Sequence, residues 1–494
     1  MLKNITKIEV IIFAGGAVVM IMELIGSRIL APYLGTSIFV WSSLIGIILG
    51  ALSLGYYLGG RFSLKNPNFR FLGAILLFAS LSVLIVPFIK EPLLQASMEL
   101  GIRTGSVVST LALFTVPSVL LGMVSPYAIR LKAKHVDKVG GVAGTLYAIS
   151  TVGSITGTFL AGFVLIPCFG STQILFGLSL VLLLISLLCG FEKKKLVCIA
   201  LIAMLCVVHS RRTSPFLVDM DSAYNHIRVV DTLSPVDRAP IRVLYLATES
   251  HSVIYRNSDK LYSKYIRYYQ MDKLFNPTIK KALTLGGGAY VAPMSFLDRF
   301  PQGEMTVVEI DPEVTRIARE YFLLTDDPRL AIIHEDGRIF LNSTKEKYDL
   351  IYGDAFQSYY SIPFQLTTRQ AMEKAFESLN PGGVLMLNIV SSLEGEKSAF
   401  FQAEYKTLIH VFPHVYVFPL EYMHEGKLDA MQNIMIVATK QAERLTKEQL
   451  LERADEKTEE FIRHLWEKEI HLDPSIEMLT DNFAPVDYYI SKLL

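Results

Sequence analysis

The chain has 494 residues, 51% of them hydrophobic and 19% charged, with a formal net charge of zero. That composition excludes disorder, a collagenous repeat and a disulfide scaffold, and the length suggests two to four domains. The zero conceals two halves: residues 1–210 carry 15 Lys and Arg against 6 Asp and Glu, and the remainder carries 32 against 41. The first half reads as membrane and the second as a soluble acidic region, which argues against a nucleic-acid partner. All four cysteines (Cys168, Cys189, Cys198, Cys206) lie in the apolar half. They show neither zinc-ligand nor disulfide spacing, and no metal is expected.

Six apolar runs are long enough to span a bilayer: approximately 8–27, 38–60, 70–89, 105–129, 141–166 and 171–191. A seventh, Leu196–His209, is shorter and reads as interfacial or buried by other helices. Basic residues (Arg61, Lys65, Arg70; Arg130, Lys132, Lys134, Lys138; Lys193–Lys195) fall in alternate loops, which places those loops and the N-terminus in the cytoplasm. Six spans leave the soluble half cytoplasmic and seven put it outside; Arg211 and Arg212 lean towards the cytoplasm. Gly46, Gly50, Gly55, Gly59 and Gly60 in run two, and Gly153 and Gly157 in run five, read as close helix packing. Glu23 and Arg28 near the end of run one are ionisable groups at membrane depth; they either pair, sit at the interface or line a polar cavity.

From Pro215 the texture changes. Tyr224–Asp231, Ile241–Ala247 and Ser252–Arg256 read as strands of a small antiparallel unit, and Leu261–Leu274 as a Tyr-rich helix. Strand-like runs then alternate with helical patterns. Strands are expected at Ala282–Leu285, Met305–Ile310, Leu330–His334, Tyr348–Gly353 and Val384–Val390. Helices are expected at Glu313–Phe322 and at Thr368–Leu379, the latter ended by Asn380-Pro381-Gly382-Gly383. Such alternation predicts an α/β domain with a parallel sheet and crossover helices, with ligands bound outside the carboxyl ends of its strands.

The chemistry-bearing residues follow those strands. Gly286, Gly287 and Gly288 come after the first and let the backbone approach a ligand. Glu309 after the second has the position of an acid that accepts both ribose hydroxyls. Asp336 and Gly337 follow the third, where an Asp accepts from an adenine amino group, and Asp354 follows the fourth, facing the centre. Each acid alone reads as a turn or cap residue; the ordered set points to a nucleoside pocket. The phosphate-cradle pattern G-x-x-x-x-G-K-[ST] is absent. Acids around a phosphate-free pocket suit a cationic nucleoside, S-adenosylmethionine or its decarboxylated form.

These motifs resemble the spermidine synthases, the polyamine aminopropyltransferases on a methyltransferase-type Rossmann fold. The resemblance runs through LTLGGG (283–288), VVEIDPEV (307–314), DPRLAIIHEDGRIFL (327–341), YDLIYGDAF (348–356), IPFQLTT (362–368) and LNPGGVLMLN (379–388). Over the whole chain it is to the membrane-fused branch, where a multi-span domain precedes the synthase domain; VWSSLIGIILGALSLGYYLGGR (40–61) is typical. The implied organisation is a multi-span helical domain (1–210), a small β subdomain (215–262) and a Rossmann-like synthase domain (263–494). The resemblance implies that Glu309 holds the ribose, Asp336 the adenine and Asp354 the attacking amine's proton. The acceptor pocket would involve His251, Gln357 and Tyr359, and soluble relatives associate through this domain, so a homodimer is expected.

The departures matter as much. An Asp that binds the donor's ammonium is replaced by Ala289, a second acceptor Asp by Gln357, a Tyr-His-Glu segment by Ser263-Lys264-Tyr265, and a Gln by His251. Tyr268, Tyr269, Tyr359 and Tyr360 either rebuild the pocket with aromatic faces or are packing residues. The leading expectation is a membrane-anchored transferase that moves an aminopropyl group from decarboxylated S-adenosylmethionine to putrescine or another amine. A methyltransferase using S-adenosylmethionine, and a polyamine or nucleoside transporter or sensor, are the alternatives.

Overall fold

The computed structural model of the protein describes residues 7–64, 67–133, 135, 138–190, 204, 215–258, 260–355, 362–421 and 428–491. Its contacts divide the chain into two compact units, Met1–Ser214 with Met220–Ala223, and Pro215–Asp219 with Tyr224–Leu494.

Among its described residues the first unit has six helices long and apolar enough to cross a membrane: α1 Lys7–Leu34, α2 Ile38–Phe62, α3 Phe69–Met98, α4 Gly101–Lys132, α5 Val139–Cys168 and α6 Ser171–Leu188. The first five run past their apolar cores, because the hydrogen-bonded ladder continues into polar flanks; α6 stops short of the expected end at 191. The seventh apolar run lies outside the described residues apart from Met204. Packing explains part of the glycine pattern. A Cβ on Gly55 or Gly59 would collide with the backbone of α4, and one on Gly153 or Gly157 with that of α1. Gly46, Gly50 and Gly60 face open space instead, so close packing does not account for them. Glu23 and Arg28 do not pair. Five residues apart, they project about 140° from one another around the helix. Arg28 donates to the Ile166 carbonyl at 2.9 Å and to that of Ser222.

β1 Val218–Asp221, which spans the boundary in sequence between the units, and β2 His226–Leu233, β3 Pro240–Leu246 and β4 Glu249–Tyr255 of the second unit form a four-stranded sheet in that order, antiparallel from β2 to β4. Ile241, Val243 and Val253 supply its buried core. β1 (VDMD) is too polar to be foreseen as a strand. The Tyr-rich helix is broken into α7 Lys264–Tyr268, a 3-10 turn Tyr269–Met271 and α8 Asp272–Phe275. Aromatic side chains lose rotamer freedom in a helix, and burial of Tyr268 and Tyr269 decides the local path.

Seven strands form the larger sheet, in the order β10-β11-β9-β8-β5-β6-β7. β5 Lys281–Leu285, β6 Glu304–Val308, β7 Leu330–Ile333, β8 Tyr348–Gly353 and β9 Leu379–Ser391 are parallel neighbours. Between them run α9 Val291–Arg299, α10 Pro312–Tyr321, α11 Gly337–Ser343 and α12 Arg369–Ser378. After α13 Ala399–Val411, β10 His414–Pro419 and β11 Gln432–Thr439 add antiparallel to the β9 edge. The five strands expected as a parallel sheet are parallel, and two strands that were not foreseen extend it antiparallel. The turn expected at Asn380–Gly383 stops α12 at Ser378, but β9 already starts at Leu379. Strand order reverses between β5 and β8, the place where open α/β sheets bind ligands.

Candidate functional site

Parallel pairing sets the site's geometry. Leu285 of β5 lies level with Val308 of β6 and with Gly353 of β8, and Gly353 lies level with Leu387 of β9. The next residue on each strand is thus Glu309, Gly286, Asp354 and Asn388, one row along the carboxyl edge. Two backbone bonds fasten its centre: Gly286 donates to the Val308 carbonyl at 2.9 Å and Asp354 to that of Leu285 at 3.0 Å. Gly286 has φ +94°, and a Cβ there would stand 3.1 Å from the Asp354 carbonyl oxygen, so both conformation and space require glycine. Tyr290 closes the loop in the left-handed region at φ +60°, its ring buried and its hydroxyl 2.6 Å from the Thr315 hydroxyl. Non-glycine residues held in this region cluster at functional sites.

Glu309 is buried, and both carboxylate oxygens are engaged. Oε2 accepts from the Gly287 amide at 2.8 Å and Oε1 from the Asp311 amide at 2.9 Å. Burial pushes its pKa up, and these amides oppose the shift. Each oxygen keeps a lone pair for a ligand hydroxyl. Asp336 caps α11: Oδ1 accepts from the Arg338 amide at 2.8 Å and from the Ile339 amide at 3.1 Å. Gly337 opens that helix, and a Cβ there would meet only ordinary contacts at 3.5 Å and beyond, so glycine is not sterically required.

Asp354 receives the Tyr269 hydroxyl at 3.0 Å on Oδ1. Burial, then the charge of Asp354, drive the Tyr269 pKa well above the usual phenol range, so this tyrosine remains a donor. Its ring lies 4.4 Å from that of Tyr352. Tyr352 is fixed from below: its hydroxyl donates to Asp272, which also takes the Arg299 guanidinium at 2.5 Å. The neighbouring Tyr268 bonds instead to His464 Nδ1 at 2.7 Å and packs on Phe461, so of the two tyrosines only Tyr269 reaches the acid. Gln357, Tyr359 and Tyr360 lie outside the described residues.

From the small sheet, β4 approaches the glycine loop. The Ala289 amide donates to Ser252 Oγ at 3.1 Å, and Gly288, at φ +49°, leaves only 3.0 Å between a Cβ position and that oxygen. His251 is half-buried, burial around its imidazole pushes the pKa down to about 4, and its carbonyl accepts from the Tyr265 hydroxyl at 3.2 Å. Reading the sequence missed Ser252 and Asn388. Asn388 is wholly buried, and among the described residues neither end of its amide has a partner. Through Met386 and its neighbour Tyr352 it shares the sheet face on which Tyr269 packs. A polar residue closing the apolar run VLML was the available signal.

Residues 260–441 match the spermine/spermidine synthase domain. The polyamine aminopropyltransferase of Vibrio vulnificus is 28% identical over 233 residues, 46% of this chain and 76% of that one. Polyamine aminopropyltransferase 2 of Aquifex aeolicus is 25% identical over 398 residues, 75% of this chain and 77% of the relative, a stretch that extends into the apolar helices. A probable polyamine aminopropyl transferase of Bifidobacterium longum is 36% identical over 118 residues, 24% of this chain and 26% of its own length. Among solved structures, a probable spermidine synthase from Corynebacterium glutamicum is 21% identical with a TM-score of 0.44, over 55% of this chain and 99% of that one. The chain thus carries a spermine/spermidine synthase domain, a transferase domain, after six long apolar helices.

Proposed function

We propose that the protein is a membrane-anchored aminopropyltransferase whose donor is decarboxylated S-adenosylmethionine and whose acceptor is a small amine, putrescine or another. The observation that carries this reading is the contact between Asp354 and Tyr269 beside the unpartnered amide of Asn388, in the same row as the glycine loop and Glu309. Glu309 would take the ribose hydroxyls, Asp336 Oδ2 the adenine amino group, and His251, Gln357 and Tyr359 would bound the acceptor pocket. A primary ammonium is protonated at neutral pH, its pKa near that of lysine, about 10. Asp354 takes one proton from it. The freed nitrogen lone pair attacks the methylene carbon next to the donor's sulfonium. The carbon–nitrogen bond forms as the carbon–sulfur bond breaks, and sulfur keeps the bonding pair. Methylthioadenosine leaves as a neutral thioether, and the nitrogen, now a secondary ammonium, keeps its two remaining protons and carries the positive charge that sulfur has lost. Alignment and proton removal are the protein's contributions. The six helices would anchor the protein in a bilayer.

The test is methylthioadenosine release by detergent-purified protein given decarboxylated S-adenosylmethionine and a panel of amines. Asp354→Asn should abolish it, and release unchanged in that variant would refute the assignment. Ala289, buried where no acid stands in the loop, favours a second reading in which the donor keeps its carboxylate and a methyl group moves; S-adenosylhomocysteine as the product would establish it.

A further inference from the structure

A cavity of about 120 Å³ lies within the helical unit, among α1, α2, α4 and α5. Gly15, Gly16, Met20, Tyr56, Ser125 and Ser150 are among its lining residues, and none of the lining residues is basic. Two helix stripes frame it. On α1, Glu9, Ile12, Gly16, Met20 and Glu23 recur at helical spacing; on α4, Lys132, Ser125, Leu121 and Ser118 do the same in the opposite direction. The pairing of these stripes is fixed at several levels. Lys132 bonds Glu9 at 2.5 Å, Ser125 and Leu121 share the cavity with Gly16 and Met20, and Phe114 packs 3.4 Å from the Cβ position of Gly26. That register places Ser118 opposite Glu23, one turn beyond the cavity. Ser118 is wholly buried, and its hydroxyl has no partner among the described residues. Glu23 is half-buried and has no hydrogen bond or ion pair among the described residues. An unpaired carboxylate at membrane depth is costly and marks a functional site.

We propose that this cavity and Glu23 bind a primary alkylamine, with its ammonium end at Glu23. The chemistry of the lining selects that ligand. The Ser125 and Ser150 hydroxyls of the lining can accept hydrogen bonds, and the Glu23 carboxylate one turn beyond it supplies a single negative charge against a single cationic head. The volume equals the share of about four waters, which fits an ammonium with a chain of three or four carbons. This is one arm of a polyamine, so the helical unit would handle the compound class that the transferase uses. The inference rests on the membrane reading of the helices and not on the chemistry assigned to Asp354.

Equilibrium binding of radiolabelled n-propylamine to the full-length Asp354→Asn protein in lipid nanodiscs tests it, with each variant checked for monodisperse elution. One saturable site should remain in Asp354→Asn, weaken at least tenfold when Glu23→Gln is added, and be retained with Glu23→Asp. Gly15 has nothing within 4 Å of its Cβ position, so Gly15→Leu fills the cavity without a backbone clash and should also abolish binding. Absence of binding in Asp354→Asn, or binding unaltered by Glu23→Gln, would overturn the proposal; loss in Glu23→Gln with Gly15→Leu unchanged would overturn the cavity as the seat. Methylthioadenosine release by the wild-type protein reports on the transferase reading separately.

Discussion

The Tyr269 hydroxyl donates to Asp354 Oδ1 and so favours the ionised carboxylate, the form a base must have. Tyr269→Phe removes that donor and raises the pKa of Asp354. The acidic limb of the kcat/KM profile should therefore move to higher pH, with kcat falling roughly tenfold; an unmoved limb would show that Tyr269 only packs. Asp354→Asn should lower kcat by about 10²–10⁴, the usual worth of a positioned base. Glu309→Gln replaces a charged acceptor by a neutral one, so the donor KM should rise about 10–100-fold, the equivalent of a charge-assisted hydrogen bond. His251 is a linkage probe. Its folded pKa of about 4 lies below the unfolded value of about 6.5, so between these the unfolded chain binds more protons and stability falls as pH falls. His251→Gln should flatten that decline, by about 1–2 kcal/mol at pH 5 in urea titrations.

At the scale of elements, the glycine loop and β8 act as one piece. Gly286→Ala introduces a Cβ 3.1 Å from the Asp354 carbonyl at a positive φ, which should cost about 1–2 kcal/mol and disturb Asp354 together with the loop. A crystal structure or a melting curve unchanged from wild type would contradict this. β5 and β8 were legible in the sequence because both faces are buried, which leaves short apolar runs such as YDLIYG, each followed by a polar residue or glycine. Glu309, Asp336 and Asp354 were singled out by that rule, and each stands after the carboxyl end of its strand, β6, β7 and β8. β10 and β11 were not, because nothing local says that a later pair of apolar runs will add antiparallel to β9. Asn388 escaped because it lies inside a strand and not in the loop after it. Ser252 escaped because its significance is its distance from Ala289, which only the tertiary structure supplies. The break between Tyr268 and Tyr269, and hence which tyrosine meets Asp354, is likewise decided by packing against His464, Phe461 and Tyr352.

Over the whole molecule, opposite charge balances coincide with two separately compact units. Zero net charge therefore describes neither. The helical unit exposes large apolar side chains such as Leu49, Phe78, Phe159 and Phe163, the composition of a lipid-facing surface. Alkaline carbonate washing of cell membranes should leave the protein in the pellet, whereas release into the supernatant would refute the membrane reading. The basic residues at one set of loop ends predict the sidedness of those loops, which cysteine labelling at substituted loop positions would measure.

Glu309 is clamped by two backbone amides before any ligand arrives. A carboxylate held in this way has no rotamer to freeze, so the nucleoside half of a ligand meets a rigid receptor and loses little affinity to ordering. The receptor is also indifferent to whether the sulfur end has reacted. In the reaction proposed above, donor and thioether product present the same ribose and adenine, so the spent nucleoside should compete with fresh donor, and a further reaction that consumes methylthioadenosine would relieve that competition.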